Sequence, residues 1–256
     1  MKKRFNLPFI KYRFWFMAVS IIFVVGSLTV IFTKGFNYGI DFKGGAKLEY
    51  QFVKPVSESE VRTALQNINL GNVQVVRFGE KKDNRMSIKV ELPKEHAEIG
   101  GIISKQLEKT FGKGEIKLEQ EETVGPKVGE ELRKKAWLTI LFSWALMLIY
   151  IGYRFDFFFA PGAVLALIHD VVITLGFFAL LGKEINLAIL AAILTLIGYS
   201  INDTIVVFDR IRENSSRISP STINNVVNES LNSTLSRTII TSLTVLFVVL
   251  VLFFKG

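Results

Sequence analysis

Five stretches of the chain run almost free of charge: residues 14–33, 136–153, 157–181, 185–208 and 238–254. A helix needs about 20 residues, within a working range of ~17 to 25, to cross the hydrocarbon core of a bilayer. All five stretches meet that length. The third is interrupted by the pair His169-Asp170 and the fourth by Asp203. They total 104 residues and leave one polar block, 34–135, of 102 residues with 19 Lys+Arg and 16 Asp+Glu. The pattern predicts a polytopic α-helical membrane protein carrying one soluble domain.

Inside the polar block the period changes. Residues 46–53 alternate, with Lys47, Glu49 and Gln51 on one face and Leu48, Tyr50 and Phe52 on the other, as a half-buried strand requires. Residues 57–60 (SESE) supply an N-cap and first-turn acids, and Val61, Leu65 and Ile68 follow at helical spacing. Strands are expected at 72–78 and 85–92 around a charged turn at 79–84. A helix at 95–111, weakened by Gly100 and Gly101, precedes a last alternating run at 115–121. The order β-α-β-β-α-β is that of a ferredoxin-like α+β domain. No nucleophile, base and orienter occur together in it, so binding or positioning is expected of it rather than catalysis.

Composition sharpens this. The chain is 50% hydrophobic yet 21% charged, with a net charge of +8, an average over two unlike populations. The absence of cysteine excludes disulfides, thiol catalysis and Cys-ligated metal, and two histidines leave no multi-His cluster. The positive charge marks topology more than nucleic acid. Lys2, Lys3, Arg4, Lys11, Arg13, Arg154, Arg210, Arg212, Arg217 and Arg237 fall on one side of the membrane in the short segments, against Lys183 and Lys255 on the other. The positive-inside rule therefore puts residues 1–13 and the loop 209–237 in the cytoplasm and exports 34–135. The first span exceeds the ~7 to 15 apolar residues of a cleavable signal, and no small-residue cleavage site follows, so it reads as an uncleaved anchor.

Glycines at 39, 44, 45, 125 and 129 flank the soluble block in NYGIDFKGG (37–45) and TVGPKVG (123–129). Each segment alone is a linker; together they suggest a shaped junction, since glycine permits φ > 0 and close backbone approach. Ionisable groups inside spans cost at least ~2.5 to 3.5 kcal/mol for Asp and by default mark relays or pathways. Asp203 lies five residues before the end of its span, about 8 Å deep, and Arg237 opens the next span from the same side, where its long side chain reaches inward. The two are within reach of each other, as a proton-dependent pair or as a static one, the alternative being a boundary residue that faces headgroups. His169 and Asp170, the thirteenth and fourteenth residues of the third span, point about 100° apart. One of them is expected to face the fourth span, where Gly198 and Ser200 allow close approach. His169 suits either a relay or a packed, hydrogen-bonded role, and Asn202 is a supporting polar group. In 209–237, Ile223, Val226, Val227, Ser230, Leu231, Thr234 and Leu235 share a face opposite Asn224, Asn228 and Glu229, an amphipathic interfacial helix.

GIDFKGG (39–45), VGPKVGEELRKKA (124–136), PGAVLALIHDV (161–171), GYSINDTIVVFDRIREN (198–214) and LSRTIITS (235–242) resemble, in order and spacing, the motifs of SecF in the SecD/SecF protein-export family. The resemblance covers almost the whole chain. It marks Gly39, Asp41, Gly44, Gly45, Gly125 and Pro126 as family motif and junction. It implies an RND-type (resistance-nodulation-division) bundle of six spans with the ferredoxin-like domain after the first, in the bacterial inner membrane. This chain has five spans and stops at Lys255-Gly256, so the sixth is expected to be missing. The implied task is use of the proton motive force to assist preprotein translocation through SecYEG and its release outside. Implied partners are SecD, SecYEG, YajC, YidC, unfolded preprotein and membrane lipid, without nucleic acid. No cofactor or metal is implied; the coupling ion is H+, with Na+ as the alternative, and Asp203 with Arg237, 34 residues apart, is implicated in its transport. The competing readings are another RND-type transporter of lipid or small molecules and a structural assembly subunit; an enzyme fits least.

Overall fold

The computed structural model describes residues 5–66, 68, 73–91, 99–155 and 160–255. Lys2, Lys3, Arg4, and the expected element ends at Asn72, Leu92, Glu95 and Phe157 lie outside them. The chain divides into two compact units, one formed by Met1–Gly35, Leu141–Leu181 and Ala191–Gly256 and the other by Phe36–Ile140 and Gly182–Leu190.

In chain order the elements are α1 (Arg13–Lys34), β1 (Asn37–Tyr38), α2 (Ile40–Lys43), β2 (Gly45–Phe52), α3 (Glu58–Gln66), β3 (Val73–Phe78), β4 (Arg85–Val90), α4 (Ile99–Phe111), β5 (Ile116–Val124), α5 (Pro126–Arg154), α6 (Ala160–Leu181), β6 (Glu184–Ile185), α7 (Leu187–Glu213) and α8 (Ile223–Lys255). Among the described residues, α1, α5, α6, α7 and α8 are the five helices long and apolar enough to cross a membrane.

α1 and α6 pack closely because Gly176 has no side chain: a Cβ there would lie 2.3 Å from the Ser27 hydroxyl, the small-residue contact that lets membrane helices approach. The amphipathic segment and the fifth span, expected as separate elements, form the single 33-residue α8. No Gly or Pro occurs between Ser221 and Lys255 to end the helix. Its asparagine face passes from exposed at Asn224 to buried at Asn232. Asn232, 9% exposed, accepts from the Leu7 N–H at 2.7 Å and donates to the Leu7 carbonyl at 2.9 Å. One turn earlier Asn228 accepts from the Ile10 N–H at 3.3 Å, and a turn before that Asn224 accepts from Arg13 at 3.2 Å. A stripe of asparagines at i, i+4 and i+8 straps the segment before α1 to α8.

The second unit contains an antiparallel sheet of order β3-β4-β2-β5, and β2-α3-β3-β4-α4-β5 is the ferredoxin-like order. Alternation in β2 buries Ala46, Leu48, Tyr50 and Phe52 against Val61 and Leu65 of α3 and Ile103 and Leu107 of α4. The reciprocal capping box starts α3: the Ser57 N–H donates to Glu60 Oε2 at 2.7 Å and the Glu60 N–H to Ser57 Oγ at 3.3 Å. These bonds hold the Glu60 carboxyl below its ordinary 4.5.

Tyr50 has a hydroxyl within the core, 2.7 Å from Ser104 Oγ. Burial pushes it from the ordinary 10 up to about 12, with the Ser104 hydrogen bond opposing. Because the folded value is raised, this group's contribution is fully present below pH ~10 and is lost as pH rises toward 12. The expected result is that Tyr50→Phe has a slightly lower Tm at pH 8, where it lacks the Ser104 bond, and that its deficit shrinks between pH 10 and 12. A deficit unchanged across that window in thermal unfolding would show that Tyr50 does not ionise on unfolding.

Candidate functional site

The glycine segments meet within the second unit. β5 runs to Val124, farther than the alternation at 115–121 indicates, and pairs Val124 with Gly45 and Thr123 with Ala46, so the two flanking motifs are partners in one ladder. Gly44 has φ +85, and a Cβ there would lie 2.6 Å from Pro126 Cα; a Cβ on Gly45 would lie 2.6 Å from the Val90 carbonyl oxygen, and one on Gly129 would lie 2.8 Å from the Gly44 nitrogen. Pro126 is the first residue of α5, where its missing N–H costs nothing. Gly125 has open space around it, and its carbonyl accepts from the Gly129 N–H at 2.9 Å.

The same junction holds the α6–α7 connection, a link without a sequence signal. β1 and β6 pair in parallel, Asn37 with Glu184 and Tyr38 with Ile185, and the Gly39 N–H donates to the Ile185 carbonyl at 2.9 Å. Lys89 forms an ion pair with Glu184. Asp41 Oδ2 accepts from the N–H of Leu187, first residue of α7, at 2.9 Å, and Asn186 Oδ1 accepts from the Ile189 N–H at 2.9 Å. Two side chains thus satisfy otherwise orphaned donors of α7, and the Asp41 charge complements the positive end of its dipole.

The intramembrane charges lie in the helical unit. His169 Nδ1 is 2.9 Å from Asp170 Oδ1, so the two neighbours bond to each other. Asp170 is the one that faces α7, accepting from Ser200 Oγ at 2.6 Å. His169 Nε2 is buried without a hydrogen-bond partner. Ser200 and Asp203, three apart on α7, share a helical face.

Asp203 and Arg237 are not bonded to each other in this structure. Asp203 Oδ1 instead faces Thr241 Oγ1 at 3.5 Å, and Thr241 donates to the Arg237 carbonyl at 3.1 Å. The acid therefore sits one turn along α8 from the arginine. Arg237 and Asn202 line a cavity of about 410 Å³ with Tyr150, Arg154 and residues of the α7 end. Sequence spacing carries no information on the rotation of these groups about their helix axes. Thr241, a functional candidate the sequence pattern does not single out, lies four residues after Arg237, one helical turn on.

The fold and these two sites define a multi-pass membrane protein whose ferredoxin-like domain is rooted in paired glycine motifs, with carboxylates inside its spans. The model described as "Protein export membrane protein SecD/SecF, C-terminal" matches residues 103–256, and the SecD/SecF GG motif matches 29–56, which contains Gly39, Asp41, Gly44 and Gly45. The chain is 43% identical over 260 residues to the protein translocase subunit SecF of Calditerrivibrio nitroreducens, covering 100% of this chain and 85% of that one. It is 38% identical to that of Vibrio alginolyticus, covering 100% and 81%. The crystal structure of SecDF from Thermus thermophilus, a translocon-associated membrane protein, superposes with a TM-score of 0.79 at 35% identity, covering 100% of this chain and 34% of that one. The chain thus spans about a third of that longer SecDF chain. This chain belongs to the SecD/SecF family of protein-export membrane proteins.

Proposed function

We propose that this chain is a SecF-type subunit of the Sec translocase that works with SecD, using the proton motive force to assist preprotein translocation through SecYEG and release on the outer side. The observation that carries the reading is the pair of carboxylates within the helical unit: Asp170 accepts from Ser200 of α7 at 2.6 Å, and Asp203 of α7 faces Thr241 of α8 at 3.5 Å. Protonation of a carboxylate at these helix contacts changes the cost of burying it and with it the packing of the helices. Asp170, bonded to His169 and to Ser200 of α7, is a second proton acceptor on the same helix pair, and Arg237 is the mobile counter-charge. Na+ remains the alternative coupling ion.

The role is coupling rather than enzymatic. The ten-to-two distribution of basic residues puts the amino terminus in the cytoplasm and the ferredoxin-like domain outside the bacterial inner membrane, where it meets unfolded preprotein. YajC and YidC are further partners by the same resemblance. The relatives' names and the translocon association of SecDF support this assignment. An affinity-tagged full-length protein extracted in mild detergent is expected to bring SecD with it in near-stoichiometric amount; recovery without SecD would overturn the reading.

A further inference from the structure

The cavity at the ends of α5 and α7 has an unequal supply of hydrogen-bonding groups. Its two carboxylates are already engaged: Glu213 accepts from Arg210 at 2.6 Å and Asp209 from Arg212 at 3.0 Å. The protons of its two aliphatic hydroxyls are committed too, since Ser233 donates to the Ser230 carbonyl at 2.8 Å and Thr234 to the Leu231 carbonyl at 3.0 Å.

Four donor groups are left over. Among the described residues, the guanidinium groups of Arg154 and Arg237 form no ion pair or side-chain hydrogen bond, and neither do the Asn202 amide and the Tyr150 hydroxyl, although all four line the cavity. Arg154 stacks its guanidinium over the Phe155 ring, 5.5 Å from the centroid, which leaves its N–H edge available. A space of about 410 Å³ with two free guanidinium groups, two neutral donors and no uncommitted carboxylate is complementary to an anion with several acceptor oxygens, and fork-shaped guanidinium groups match phosphate. Ile205, Val206 and Phe155 add an apolar lining, as a site at the edge of a lipid layer requires.

We infer that this cavity is a binding site for a phosphate-group anion, held between Arg154 of α5 and Arg237 of α8. The chemistry is shared by the headgroup of an anionic phospholipid and by a free phosphate ester. One consequence rests on the coupling role proposed above: an anion on Arg237 occupies the guanidinium that would otherwise serve Asp203 as counter-charge, so occupancy competes with that pairing. Binding itself is independent of that role and can be measured without any transport.

The test is native mass spectrometry of the delipidated full-length protein, with SecD where it copurifies, titrated separately with phosphatidylglycerol and with glycerol 1-phosphate. Arg154→Gln and Arg237→Gln are each expected to weaken the binding of at least one probe about tenfold. Arg217→Gln, which removes an arginine already paired with Glu229 at 2.8 Å and not lining the cavity, is expected to leave it unchanged. Weakening seen only with phosphatidylglycerol identifies a lipid site, and weakening with glycerol 1-phosphate as well identifies a free-phosphate site. Equal binding by wild type and both cavity variants for both probes would overturn the proposal, and so would equal weakening by Arg217→Gln. Arg154→Lys keeps the charge and tests the fork: an intermediate loss supports bidentate contact, and a loss as large as that of Arg217→Gln would count against it.

Discussion

Gly44→Ala is expected to lower the Tm of the detergent-solubilised protein sharply, and Gly44→Val to prevent accumulation of folded protein. Two independent costs add at this position. The backbone has φ +85 and ψ 147, a combination essentially reserved for glycine that costs an L-residue roughly 1–3 kcal/mol. A Cβ would also stand 2.6 Å from Pro126 Cα and 2.8 Å from Pro126 N, and these are backbone atoms without a flexible end to swing aside. Neither strand of the junction is free to move. The Gly44 N–H is bonded to the Ile40 carbonyl at 2.8 Å, Gly129 lies so near that a Cβ on it would be 2.8 Å from the Gly44 nitrogen, and the next residue enters the β2–β5 ladder. The combined penalty is several kcal/mol, a large part of a typical stability of ~5–15 kcal/mol. Gly101→Ala is the control: that glycine is helical and exposed, with nothing within 4 Å, so alanine there is expected to be neutral or stabilising by up to about 1 kcal/mol. Similar Tm shifts for the two alanine variants would show that the junction yields to a methyl group.

What the sequence makes legible follows from how local each signal is. Span existence depends only on run length, and the strand face of β2 only on alternation, so both could be read directly. The pairing of the glycine segments was visible as a coincidence of composition, but its cause, backbone pressed against backbone across roughly 80 residues, is tertiary. β1 and β6 are two residues each and 147 positions apart, too short for any periodicity to register. Gly100 reads locally as a weak point in a helix, yet a Cβ there would lie 2.1 Å from the Glu121 carboxylate of β5, so α4 and β5 approach at this residue in a way no local pattern reports. Asn224 and Asn228 mark the polar side of an amphipathic pattern, which by itself indicates a membrane-surface helix. Asn228 and Asn232 bond main-chain groups more than 200 residues earlier, and backbone donors have no sequence signature. Membrane charges are the intermediate case: hydropathy gives depth, while the rotation that sets Asp203 against Thr241 and Asp170 against Ser200 depends on helix packing.

Asp203→Asn is expected to remove the proton-gradient-dependent stimulation of preprotein release from membrane vesicles while leaving assembly with SecD intact. Asparagine has nearly the same shape and keeps a carbonyl oxygen toward Thr241, 3.5 Å away, but it cannot take up or release a proton. The substitution also removes a charge whose placement in a span costs at least ~2.5 to 3.5 kcal/mol near the centre, so the Tm of the variant should equal or exceed that of the wild type. A relay and a structural role therefore predict opposite signs. If Asp203 is a structural group, its loss lowers stability or assembly, and any loss of stimulation follows from that. If it is the coupling acid, stimulation disappears while stability holds or rises. Full stimulation in the variant would remove Asp203 from the coupling path and leave Asp170, with its His169 and Ser200 partners, as the remaining intramembrane acid able to carry it. Stimulation lost together with copurification of SecD would instead place Asp203 in the architecture of the complex.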